Sequence, residues 1–378
     1  MPLRTPIRPD KSRIMTKSRI AAIASGLALA MTAWLPTAHA TPPTNVPTTA
    51  ADYGARWLAS RFVSDGNGNK FIPATGSPTT PEPSNTMQAA LALAAAGVEE
   101  ATFDDAVDWL KANVTTTIAP GGTDNPGRLG YLLLVADAAG ESPTSFGGVD
   151  LVTRLGNLRQ TTGADTGLFG SADPTYDGTF RQSLAILGLR AVGQSVDSSS
   201  TTWLLGQQCA GGSNADDGGW RSYGGSTCDG DDADSNSTAF AIQALVSVSH
   251  TTYSGEVGDA LGWLDAVQES DAGFAYQPAY ASDPNSTSLV IQAIIAGGGN
   301  PTSATWQKSG GTLNPYTSLL SWQIGCTANP GDVGAFASPW SSGAPDLLAT
   351  QQSVWGAAGA PFPLNPSFTT PTPTPCIP

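Results

Sequence analysis

The sequence predicts an all-α fold in which six helical hairpins close into a double ring. Three observations carry that expectation: a pattern repeated six times, a difference in apolar layout between alternate helices, and a scarcity of strand signals. At 378 residues, 40% hydrophobic and 13% charged, the chain is too apolar for a disordered polymer. Its 17 bases against 31 acids leave a formal charge of −14, the wrong sign for holding phosphates.

The repeat consists of a polar anchor, an Ala/Leu/Ile-rich helix and, sixteen positions after the anchor, a glycine or its stand-in. Its copies end at Gly97, Gly140, Gly193, His250, Gly299 and Gly359. Asp124, Asp177, Asp234 and Asp283 share the anchor position. Each is expected to cap a helix, because a carboxylate there accepts free backbone N–H groups and meets the positive end of the helix dipole. The closing glycine suits a left-handed cap, and His250 takes the same place in the fourth copy. Amphipathic segments precede each copy, with Trp57, Trp109, Leu155, Trp203, Trp263 and Ser318 at equivalent points. Gln160, Gln208, Gln268 and Gln323 each follow five residues later in their segments. The repeated helices are apolar nearly all round and must be buried on several sides, forming an inner ring; the amphipathic ones keep one face for water and form an outer ring. Six units with a distinct polar tail suit closure better than an open solenoid.

The ends read differently. Six bases between Arg4 and Arg19 precede an apolar run from Ile20 to about Leu35, closed by Ala38-His39-Ala40. This is the layout of an export leader, too short in clean apolar residues for a membrane anchor. Met15 offers a second start. The expected organisation is a leader at 1–40, a linker at 41–50, the helical ring at 51–364 and a Pro/Thr-rich tail at 365–378. Without residues 1–40 the chain carries 11 bases and 30 acids, a net charge of −19. Its four cysteines pair most simply as Cys209 with Cys228 and Cys326 with Cys376, in a secreted or wall-associated protein.

Gln208 followed by Gly218-Gly219-Trp220, and Gln268 followed by Gly273-Phe274, resemble the Gln-Trp repeats of squalene and terpene cyclases. Over residues 51–364 the chain is similar to the α6/α6 toroid superfamily, which also includes protein prenyltransferase β subunits and the toroid of cobalamin-carrying intrinsic-factor relatives. The resemblance implies the fold; function has to be argued from the site.

A class II cyclase protonates an alkene with the central acid of an Asp-x-Asp-Asp motif. In register, this chain has Asp234-Ser235-Asn236-Ser237, so an amide stands where the resemblance puts the proton donor. Out of register, Asp229-Gly230-Asp231-Asp232 matches literally, five residues early in a Gly- and Asp-rich loop, and makes Asp231 or Asp232 the catalytic alternative. The same acids, Asp229 and Asp231 foremost, offer oxygen ligands to calcium, at a spacing that fits no EF-hand loop. No prenyltransferase zinc set of Asp, Cys and His is available from one histidine beyond the leader. Two converging carboxylates, as a glycosidase needs, are present among the anchors, but their symmetry favours capping.

A binding site at the mouth where the inner helices begin remains. Asn85, Thr86, Gln182, Asn236, Thr238, Asn285 and Thr287 are expected to project there beside the four anchor aspartates. Phe169, Tyr176, Trp220, Tyr223, Phe274 and Tyr276 are expected to supply aromatic walls. A polar rim with aromatic walls suits a large ligand with amides and a flat face. The reading is an exported, non-catalytic toroid, with a corrinoid as first candidate ligand and a separate β-domain or transporter protein as partner. The alternatives are a cyclase or prenyltransferase-like enzyme acting on a polyprenoid, and a structural or protein-binding ring at the cell surface.

Overall fold

The computed structural model describes residues 48–173, 176–211, 215–222, 228 and 232–369. The expected leader, Tyr223, Asp229, Asp231 and Cys376 lie outside them. The outer helices are α1 (Thr48–Ala59), α3 (Glu100–Ala112), α6 (Leu151–Gly156), α8 (Ser198–Leu205), α10 (Ser254–Ala266) and α12 (Pro315–Leu320). The inner helices are α2 (Pro83–Ala96), α5 (Pro126–Ala138), α7 (Thr179–Ala191), α9 (Ser235–Ser249), α11 (Pro284–Ala296) and α13 (Leu347–Ala357). A short helix, α4 (Val114–Ile118), follows α3, and the strands β1 (Val63–Ser64) and β2 (Lys70–Phe71) form a small antiparallel pair. Helix α1 starts inside the expected linker, and packing continues past the expected boundary at 364, since Phe368 lies against Phe103 and Thr369 N donates to Gly97 O.

Apolar layout explains the two rings. Every residue of α11 except Asn285 is buried, which requires neighbours on all sides. Helix α10 buries one stripe, Val257, Ala260, Trp263 and Leu264, and turns the rest outward. Each inner helix packs on the next in chain order, and α13 packs back on α2. Hydrogen bonds seal that last seam: Gln351 Nε2 donates to Asn85 O (2.9 Å) and Gln352 Nε2 to Gln88 Oε1 (3.2 Å). The fold is thus the α6/α6 toroid. Helices α5 and α7 meet backbone to backbone, since a Cβ on Gly130 would stand 2.5 Å from Leu184 O and one on Gly188 2.7 Å from Gly130 O.

The recurring glutamines act as ties between repeats. Gln208 Nε2 donates to Gly218 O in its own loop and to Glu256 O at the start of α10, both at 2.9 Å. Gln268 does the same to Ala272 O and Trp306 O, and Gln323 to Gly334 O and Ala50 O. One amide thus pins two backbone carbonyls, one in its own loop and one in the next repeat.

The bore of the ring is filled. Phe180 of α7 packs on Phe240 of α9 (4.5 Å between ring centres), Phe240 on Phe362 (6.3 Å), Phe362 on Trp355 of α13 (5.1 Å) and Trp355 on Tyr131 of α5 (6.4 Å). The chain after α13 turns back as a plug. Phe362 N donates to Gln243 Oε1 (2.8 Å), and Gln292 Nε2 donates to Ala360 O (2.6 Å). Gln243 and Gln292 hold the same register on α9 and α11, and each pairs a backbone group that the plug carries into the interior.

Asp137, in the last turn of α5, sets a local cost. Burial pushes its carboxyl up from 3.8 to about 6, and it sits at the negative end of a helix. A raised acid stabilises the folded state while protonated, so stability falls as pH climbs from about 4 to about 6, and the penalty is complete above that. The side chain keeps some solvent contact, so Asp137→Asn is expected to gain about 1–2 kcal/mol at pH 7. Urea midpoints of the two proteins should differ at pH 7 and coincide near pH 3; equal midpoints at pH 7 would contradict this.

Candidate functional site

Helix starts build the site. Asp234 accepts from Ser237 N (2.7 Å), Asp283 from Ser286 N (2.8 Å) and Asp346 from Ala349 N (3.0 Å), capping α9, α11 and α13. These three caps line one cavity, so α9, α11 and α13 begin at the same end of the ring. A cavity of about 470 Å³ opens there, within the size range of small-molecule sites. Asp234, Asp283, Asp346, Asn236 and Asn285 line it, and Phe180 ties its wall to the aromatic column in the bore. Three aromatic rings on its rim face water: Trp340 (75% exposed), Tyr176 (59%) and Tyr276 (39%).

Each carboxylate spends both oxygens. Besides the caps, Asp234 Oδ2 accepts from Ser222 Oγ, Asp283 Oδ2 from Ser286 Oγ (2.8 Å) and Asp346 Oδ2 from Ser338 Oγ (2.6 Å). Burial raises the carboxyls of Asp234 and Asp283 above the ordinary carboxylate range, against the hydrogen bonds that lower them. Asn236, on the first turn of α9, has an Oδ1 that is shut off from solvent and accepts no hydrogen bond.

Several expected site residues lie elsewhere. Asp124 is not a cap; Asn125 caps α5 through Arg128 N, and Asp124 forms an ion pair with Arg154. Asp177 is buried behind the N-cap Gly178, where it accepts from Ser171 N (2.7 Å) and Arg181 Nη1 (3.1 Å). Gln182, Thr238 and Thr287 do not project into the mouth but are buried as latches. Gln182 Oε1 accepts from Phe169 N, Thr238 Oγ1 from Trp220 N and Thr287 Oγ1 from Phe274 N, at 2.8, 2.8 and 3.0 Å. Thr86 and Thr350 latch Ile72 N and Phe336 N alike. The latched Phe169, Trp220 and Phe274 are consequently core, not wall. Sequence reasoning missed Trp340, Asp346, Leu348, Arg181 and Gln352; the N-cap pattern Asp346-Leu347-Leu348 was the signal for the acid, hidden by a shorter last helix.

The loop between α8 and α9 is stapled by a disulfide between Cys209 and Cys228, nineteen residues apart, with 5.5 Å between Cα atoms. Closing a loop of that size contributes about 3 kcal/mol in the chain-entropy account. Cys326 is disulfide-bonded as well. Asp232 lies in this loop, where its N–H donates to buried Asp216 (3.2 Å). Among the described residues no three His, Cys, Asp or Glu side chains group as a metal site. No helix among them is long and apolar enough to cross a membrane.

Searches by structure return the same fold. The chain is similar to the type II terpene cyclase MstE from Scytonema, with a TM-score of 0.57 and 13% identity over 84% of this chain and 98% of that one. It is also similar to an α-1,6-mannanase of Salegentibacter in complex with α-1,6-mannotriose, at 0.55 and 10% over 83% and 98%. At these identities the likeness concerns the fold alone. No family model matches the chain, and no curated protein does.

Proposed function

We propose that the protein is an exported, non-catalytic toroid that captures a small molecule at the mouth of its inner ring. The observation that carries this reading is the use of all six carboxylate oxygens of Asp234, Asp283 and Asp346 in capping and hydroxyl bonds. Asp234 and Asp283 are also only 0% and 2% exposed, and a catalytic acid or base has to reach the reacting group. Asn236 stands at the cyclase donor position, and an amide cannot protonate an alkene. The aromatic column and its plug occupy the bore in which a polyprenoid would have to lie. The disulfide accords with export.

The mouth suits a ligand with a flat face for the rim rings and polar edges for the floor. A corrinoid has that layout and is the first ligand to test, resting on the rim with part of its edge in the cavity, and with a separate β-domain chain closing over it. Equilibrium dialysis of the mature chain against cobalamin, alone and with a candidate partner, should show saturable binding that Trp340→Ala weakens. No binding in either format removes the corrinoid. Turnover of a polyprenoid that Asp231→Asn abolishes would overturn the non-catalytic reading.

A further inference from the structure

A corrinoid would rest on the rim, whereas the cavity behind it fits a smaller guest, and what it selects rests on the premise that the mouth is a capture site. Among the described residues the exposed large apolar side chains are Tyr176, Tyr276, Tyr280, Trp340 and Leu348, and all but Tyr280 line this cavity. Apolar groups left in water and gathered round one hollow mark a contact surface, whereas an ordinary exterior scatters them singly.

Charge on the wall is answered within the protein. The cap aspartates accept from hydroxyl and backbone N–H groups, and Arg181 Nη1 stands 3.1 Å from Asp177 Oδ1. A charged ligand would therefore lose its water without gaining a partner of opposite sign. What the wall still offers is neutral. Asn285 Nδ2 donates to Gln352 Oε1 (2.9 Å) and Gln352 Nε2 to Gln88 Oε1 (3.2 Å). A primary amide has two N–H groups and an acceptor oxygen, so half-buried Asn285 keeps an N–H and its oxygen for a guest. Ser222 Oγ and Tyr276 Oη, 3.2 Å apart, add hydroxyls to the same wall. The complement is a neutral molecule with apolar faces and an edge that both gives and takes hydrogen bonds. A pyranose with equatorial hydroxyls has that form, since C–H groups cover its two faces and hydroxyls fill its edge. Its polarised C–H bonds meet the negative face of an aromatic ring, and its hydroxyls pair with amides in either sense.

We propose that the cavity at the mouth binds neutral saccharides of equatorially substituted pyranoses, with their ring faces on the rim aromatics and their hydroxyls on the amides of Asn285 and Gln352. The test titrates the mature disulfide-bonded chain calorimetrically with cellotriose, with chitotriose and with sorbitol, which has the hydroxyls but no ring face. One or both of the trisaccharides should bind at least about tenfold more tightly than sorbitol. Trp340→Ala, at an exposed position, and Asn285→Ala should each weaken that binding severalfold with unchanged circular dichroism. Silence of both trisaccharides, affinity no better than that of sorbitol, or indifference to either variant overturns the proposal. If both trisaccharides are silent while cobalamin binds in a Trp340-dependent way, the saccharide assignment fails and the capture reading stands. A trisaccharide that binds and is cleaved would sink the non-catalytic reading while leaving the ligand class intact.

Discussion

Trp220→Ala is expected to lower the unfolding free energy by about 3–5 kcal/mol, the range for emptying a large aromatic site in a core. Trp220 is fully buried, although it stands in a Gly- and Asp-rich loop. Its indole Nε1 donates to Leu204 O (2.8 Å), its backbone N to Thr238 Oγ1 (2.8 Å), and its carbonyl accepts from Asp234 N (3.1 Å). Truncation leaves a void and orphans Leu204 O, and it frees the loop that carries Ser222 to Asp234. Trp340→Ala removes a side chain of the same size from the rim and should stay within about 0.5 kcal/mol of the parent. Chemical denaturation of the two variants side by side separates the roles. A Trp220→Ala protein within 1 kcal/mol of the parent, on the scale of surface changes, would refute the latch account.

Phe362→Ala is expected to cost a similar amount, about 3–5 kcal/mol, and to do something Trp220→Ala does not. Phe362 is the link between Phe240 and Trp355, at the centre of the bore. The void it leaves is bounded by aromatic rings, and an apolar void of that size stays dry and accepts small apolar guests. Benzene should therefore raise the melting temperature of Phe362→Ala and leave the parent unmoved. A variant that loses stability but ignores benzene would mean that the plug collapses inward and the column closes over the gap.

Much of the fold was legible because it repeats. The apolar layout of α11, the stripe of α10 and the Gln ties all follow from patterns that recur in the sequence. The site is less legible because the closing glycines that make the repeat visible stand at varying distances from the caps. Asn125 to Gly140 and Gly178 to Gly193 are one residue shorter than Asp283 to Gly299, so the sixteen-residue spacing points to Asp124 and Asp177, one place before the caps. The last copy is shorter still, from Asp346 to Gly359, and its capping acid falls outside the shared spacing. A residue type also does not announce its side of a helix. Thr238 and Asn236 share one turn, yet one latches a buried loop and the other faces the cavity. Trp340 has no counterpart in the repeat and left no periodic trace.

The plug has a bearing on how the protein meets its surroundings. Ser367 and Thr369 lie beside Gly97, at the end of α2, while the mouth is built at the beginnings of the inner helices. A helix of fourteen residues such as α2 spans roughly 20 Å, so Thr369 lies near the pole opposite the cavity. A protein held to a surface by that end would present its mouth outward, toward whatever diffuses past. Biosensor immobilisation through the carboxy terminus should for the same reason leave the capture face accessible.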